Sequence, residues 1–143
     1  MQMAEIATDV LSEADYVALA ELRHALRRFT AFSEGAAKAA GLPPQQHQAL
    51  LAIRGWSQEQ SLTVGALAER LLIAPHTATE LVGRLVESGL VGREADPGDR
   101  RRQVLKLTEK SEAILAHLSK VHLKEIRDMA PRLMGVLNTL GAR

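Results

Sequence analysis

The sequence predicts a mainly α-helical fold interrupted by a single β-hairpin, on three observations. Of 143 residues, 46% are apolar but only 3% aromatic, so the core must be built from Leu, Val, Ile and Ala. That set suits helices better than a sandwich or barrel rich in Tyr and Trp. Apolar residues recur at steps of three and four over most of the chain, the period of an amphipathic helix. Only the stretch from Leu90 to Leu107 breaks this period, reading as two short strands around a Pro-Gly turn. The length fits one domain of ordinary size, residues 1–143.

The first helix begins near Asp15. Leu19, Leu22, Leu26 and Phe29, then Ala36, Ala37 and Ala40, form one stripe, with Glu21, Arg23, Arg27 and Arg28 mostly away from it. Gly41 and the pair Pro43-Pro44 end it, because glycine accepts the left-handed conformation of a helix end and proline lacks a donor. Pro44 suits the first turn of a second helix, Gln45 to Arg54, packing through Leu50, Leu51 and Ile53. Gly55 and the polar run Ser57 to Ser61 make a loop. Thr63 caps a short helix, Val64 to Leu72, buried through Val64, Leu67, Ala68 and Leu71. After a turn of about three residues Pro75 reopens a helix, as in a helix-turn-helix pair. It runs to about Ser88 with Ala78, Leu81, Val82, Leu85 and Val86 inward, and Gly89 stops it.

Two strands follow, Leu90 to Glu94 and Gln103 to Leu107, with Leu105 and Leu107 on one face and Val104 and Lys106 on the other. Ala95 to Arg102 is the turn between them and ends in three consecutive arginines. Thr108 caps a last long helix from Glu109, whose stripe is Leu115, Leu118, His122, Ile126 and Met129, widened by Ile114 and Val121. Pro131 is expected to break or kink it, leaving Leu133, Met134, Leu137 and Leu140 for a final short helix. This order is that of a winged helix-turn-helix with a two-stranded β-wing. Residues 44–108 make the winged-helix lobe. The helices of 15–42 and 109–143 keep wide apolar faces, which a small chain usually buries against a second copy. They are expected to form a dimerisation region.

Charge is nearly balanced, 18 basic against 17 acidic residues for a net +1, so any nucleic-acid partner must be read from where the charges sit. A helix-turn-helix offers the N-terminal end of its second helix to the major groove. Here that end carries His76, Thr77, Thr79 and Glu80. Threonine hydroxyls reach a base or phosphate, threonine methyls touch the thymine methyl, and glutamate accepts from cytosine N4. Arg84 is placed for a phosphate. Arg100, Arg101 and Arg102 repel one another on a turn and have no fold-stabilising role. Asp96 and Asp99 precede them and can hold one guanidinium by a bidentate pair, which leaves the other cations for a phosphate or a narrow minor groove.

From Leu67 to Glu109 the chain resembles the winged-helix core of the MarR family of bacterial transcription regulators. The resemblance is carried by Leu67-Ala68-Glu69-Arg70-Leu71, by Thr77 to Leu85, and by Glu87-Ser88-Gly89-Leu90-Val91. Above all it rests on Asp96-Pro97-Gly98-Asp99-Arg100-Arg101-Arg102 and the following Leu105-Lys106-Leu107-Thr108-Glu109. It implies a homodimer held by the first and last helices on a palindromic double-stranded DNA operator. Recognition helices would lie in the major groove and wings in the adjacent minor groove, Asp99 orienting the wing and Arg101 entering the groove. It also implies a small, often aromatic effector bound between the dimerisation helices and the winged helix, weakening DNA affinity. The chain is therefore expected to be a sequence-specific DNA-binding regulator, a repressor. Four positions depart from the family pattern: Ala74 for the N-cap serine, Glu80 for a basic residue, Leu72 for a glycine in the turn, and Ser111 for a glycine, the last expected to matter little.

Other classes fit less well. The absence of cysteine excludes a disulfide scaffold, a thiolate zinc site and a thiol switch. With no G-x-S-x-G, Walker or G-x-G-x-x-G string, neither an enzyme nor a resident cofactor is expected. A metal-responsive regulator of the same fold is an alternative, since there are five histidines. However, His117 and His122 lie about 140° apart around a helix, and no metal site is expected. His122, on the apolar stripe, reads as a satisfied interface histidine or an effector contact. Trp56 reads as core packing. A winged-helix protein-interaction module is a further alternative, against which the basic wing argues. No apolar run approaches the ~20 residues that cross a bilayer, and Met1 to Asp15 has four acids and no Lys or Arg, unlike a signal peptide. A cytoplasmic location without a membrane partner is expected.

Overall fold

A computed structural model describes residues 10–56 and 62–141. In order they form α1 (Glu13–Ala39), α2 (Pro44–Arg54), α3 (Val64–Leu71), α4 (Pro75–Glu87), β1 (Val91–Asp96), β2 (Asp99–Leu107) and α5 (Glu109–Gly141). The mainly α-helical winged fold is therefore the one the chain adopts. The loop expected at Ser57 to Ser61 lies outside the described residues, as does most of the acidic N-terminal stretch. Contacts divide the chain into two compact units at Ser33/Glu34 and Val121/His122, so both long helices contribute to both units.

In the unit of residues 34–121 the core is aliphatic. Leu50, Leu67, Val82, Leu85 and Leu118 are fully buried, joined by Leu42, Ile53, Leu62, Leu81, Leu90, Leu105 and Leu115. Helix ends are set by local chemistry. The Thr63 hydroxyl accepts from the Ala66 N–H at 3.2 Å and opens α3. Gly41 at φ +76° and Gly89 at φ +70° close α1 and α4, each followed by an N–H that reaches back, Leu42 to the Ala37 carbonyl and Leu90 to the Leu85 carbonyl. Leu72 plays the same part after α3 at φ +56°, so that helix stops at Leu71. α1 starts two residues before Asp15 because Ser12 and Asp15 cap each other: the Ser12 N–H donates to Asp15 and the Asp15 N–H to the Ser12 hydroxyl.

Several packing expectations are corrected. On α2, Leu51 is 51% exposed, and the ring that turns inward beside Ala49, Leu50 and Ile53 is His47. Val86 lies at the exposed edge of α4. Leu90 is buried but precedes β1, and both strands extend further toward the tip than Glu94 and Gln103. Pro131 does not break the last helix. It stands inside α5, which runs unbroken from Glu109 to Gly141; proline removes only one backbone donor, and Arg132 in the same turn donates to Glu21 at 2.7 Å.

In the unit formed by the first part of α1 and the second part of α5, His122 is buried. Its Nε2 lies 2.7 Å from the Ser33 hydroxyl, with Phe29 and Phe32 edge-on to the ring. His122 is thus a satisfied packing group within the subunit. Large apolar side chains of this unit, Tyr16, Val17, Leu19, Leu26, Leu123 and Met134 among them, remain exposed. Among the described residues, no helix is long and apolar enough to cross a membrane.

Candidate nucleic-acid interface

The recognition helix is anchored by its apolar face. Ala78, Leu81, Val82 and Leu85 are buried, which turns His76, Thr79, Glu80 and Arg84 outward and leaves Thr77 half-buried. Ala74 precedes the helix in extended conformation and has no side chain to cap it; Pro75 fills the first turn. The first-turn amides are therefore left uncapped by side chains, a place that favours an anion. The Thr79 hydroxyl donates to the Pro75 carbonyl at 3.0 Å, so its hydrogen is engaged and its methyl and an acceptor lone pair stay available.

The wing is built differently from the expected long turn. Asp96 is buried and its Oδ1 accepts the Gly98 N–H at 2.9 Å, which closes the chain over Pro97-Gly98 and lets pairing resume at once. The antiparallel register runs Val91↔Leu107 to Ala95↔Gln103 and then jumps to Asp96↔Asp99. Arg100, Arg101 and Arg102 are thus the residues of β2 with no partner on β1, an irregularity that pushes them outward. All three are exposed. Asp96 acts on the turn, and the guanidinium is held by Asp99 alone: its Oδ1 accepts from the Arg101 backbone N–H at 3.0 Å and from Nε at 3.2 Å, and its Oδ2 from Nη2 at 3.4 Å. These bonds from Arg101, with the nearby Arg102 charge, hold the Asp99 carboxyl below its ordinary value. The pair is exposed and contributes little to stability; its consequence is to fix the pose of Arg101.

The base of the wing is tied down by Thr108, the expected cap of α5, and by Ser111, a position expected to matter little. The Thr108 N–H donates to the Ser111 hydroxyl at 2.9 Å, and the Ser111 N–H donates back to the Thr108 hydroxyl at 3.3 Å. Ser111 is fully buried, so its presence is structural and not incidental. The Thr108 hydroxyl donates in turn to the Gly89 carbonyl at 2.7 Å. The signal was in the spacing, Ser12-x-x-Asp15 and Thr108-x-x-Ser111, both capping-box patterns with a shorter second partner than Glu or Gln. On the outer edge of the hairpin the Leu105 N–H donates to the Leu62 carbonyl at 3.1 Å.

Two other features of the unit of residues 34–121 bear on ligands. Trp56 is half-buried against the core, with the Arg70 guanidinium 5.5 Å from its ring centroid. A separate groove of about 530 Å³ is lined by Ala36, Ala39, Ala40, Ile114, His117 and Leu118. Its walls are almost wholly apolar, with one imidazole. Among the described residues no cluster of three or more His, Asp or Glu is arranged to hold a metal ion.

Comparison with known proteins places these features in context. A family model described as MarR family matches residues 40–102. The uncharacterized HTH-type transcriptional regulator YcgE of Bacillus subtilis (strain 168) is 30% identical over 115 residues, which are 80% of this chain and 68% of that protein. Among solved structures, a MarR family protein from Bacillus stearothermophilus is similar with 25% identity and a TM-score of 0.70, over 84% of this chain and 82% of that one. The MepR–DNA complex of S. aureus shares the fold at 17% identity and a TM-score of 0.64, over 76% of this chain and 77% of that one.

Proposed function

Since the chain belongs to the MarR family of DNA-binding transcription regulators, we propose that it is a homodimeric repressor of a palindromic operator whose grip a small aromatic ligand weakens. The observation that carries the DNA-binding geometry is the wing tip, where Arg101 has a side chain 90% exposed yet fixed by Asp99. A guanidinium held in advance loses less freedom on entering a narrow, strongly negative minor groove. Arg100 and Arg102 flank it for phosphates, and Asp96 shapes the turn beneath. On α4 the residues proposed at the major groove are His76, Thr77, Thr79 and Glu80, with Arg84 at a phosphate.

Residues 44–108 would be the DNA-binding lobe and the helices of 15–42 and 109–143 the dimerisation region. The apolar side chains left exposed on those helices support that assignment. The groove beside Ala36, Ile114 and His117 supports the ligand, since apolar walls and one imidazole suit a ring bearing an acid. The protein would act in the cytoplasm, where its operator lies.

The test is an operator selected from randomised duplex and measured by fluorescence anisotropy. Arg101→Ala should bind it at least roughly tenfold more weakly, with helicity and oligomeric state unchanged. The wild-type affinity should fall steeply with salt, because two wings and two helices release many counterions. Undiminished binding by the variant would remove the wing from the interface.

A further inference from the structure

Glu80 is the anomaly of the recognition helix. Among the described residues, its carboxylate and the Arg84 guanidinium one turn later enter no ion pair or hydrogen bond, although a glutamate four residues before an arginine is the favourable order for a helical pair. Burial of Ala78, Leu81, Val82 and Leu85 turns Glu80 away from the core. Its neighbour three residues on is Gly83, which brings no side chain of its own, and a Cβ added there would meet nothing within 4 Å. Among the described residues, no ion pair or hydrogen bond uses this charge.

Resting on the DNA-binding reading above, the chemistry of the groove narrows what Glu80 can meet. Phosphates repel it, and so do the acceptors guanine O6 and N7 and thymine O4. Only the amino groups of cytosine and adenine donate, and adenine presents its N7 acceptor beside the amine while cytosine presents the amine alone. Thr79 leans the same way, because its hydrogen is given to Pro75 and the residue offers DNA a methyl and an acceptor. We propose that Glu80 is a specificity-determining residue that makes the recognition helix select cytosine, its carboxylate accepting a hydrogen bond from cytosine N4.

The experiment selects binding sites from randomised duplex with the full chain, wild type and Glu80→Ala. The wild-type consensus should contain a cytosine whose preference vanishes in Glu80→Ala while the remaining positions persist. The variant should bind the wild-type site roughly tenfold more weakly, yet bind random duplex more tightly, because a repelling charge is gone. Replacing that cytosine by thymine should weaken the wild type and not the variant. The same C·G pair surviving in the Glu80→Ala consensus, or a Glu80-dependent position occupied by an A·T pair, overturns the proposal. Failure of the wild type to enrich any sequence would instead overturn the operator reading and this inference with it, so the two failures are told apart.

Discussion

In the turn between α3 and α4, Leu72 sits at φ +56°, ψ +44° with 91% of its surface exposed. It holds the left-handed conformation that Gly41 and Gly89 hold at the ends of α1 and α4, but it has a Cβ, and at that exposure it has little packing to offset the strain. Leu72→Gly should therefore stabilise the protein by about 1 kcal/mol, strain relief exceeding the extra freedom of the unfolded glycine. Thermal melts should show a rise of roughly 2–4 °C; an unchanged or lower Tm contradicts the account. At the wing tip, Asp99 has a folded value below the ordinary 3.8 because Arg101 favours its charged form. Its contribution is therefore fully present above that ordinary value and is lost only as pH falls through the lower folded one. A carboxyl carbon titration by NMR should place the Asp99 midpoint below 3.8, and in Arg101→Ala the midpoint should move back up.

Among the elements, the two long helices α1 and α5 start on short polar pairs, whereas α2 and α4 open on proline without a side-chain cap. Ser111 caps α5 from a fully buried position, so Ser111→Ala should cost about 1–2 kcal/mol, measured by chemical denaturation, by leaving the Thr108 N–H without its partner. The order of elements was legible in the sequence because proline, glycine and threonine punctuate the helices at Gly41, Thr63, Pro75 and Gly89, and each of these marks is a local steric or hydrogen-bonding rule. The sequence also offered Asp96 and Asp99 together as holders of one wing guanidinium; Asp99 holds Arg101, whereas Asp96 bonds the turn. What it did not disclose depends on neighbours. Leu51 satisfies the apolar pattern of α2 yet faces solvent while His47 turns inward, and no period reveals which side of a short helix meets the core. Pro131 breaks helices by rule, but one lost donor in the 33 residues of α5 is outweighed by the turns on either side. The jump in wing register, which expels the three arginines, depends on Asp96 closing the turn with its own side chain.

For the molecule as a whole, the exposed apolar side chains of α1 and the second part of α5 set the expected assembly. Val17 and Leu26 are at least half exposed, and an isolated subunit would keep them in water. The double variant Val17→Asp, Leu26→Asp should sediment as a monomer where the wild type sediments as a dimer, and it should melt at lower temperature. A wild-type monomer at micromolar concentration would refute the dimer. Thr108 carries a different consequence. It ends the hairpin, begins α5 and is bonded to the residue that stops α4 across 2.7 Å. Torque applied along the first turns of α5 would thus reach the hairpin and the end of α4 together through Thr108, and in the proposed complex finger and helix would let go of the duplex in step.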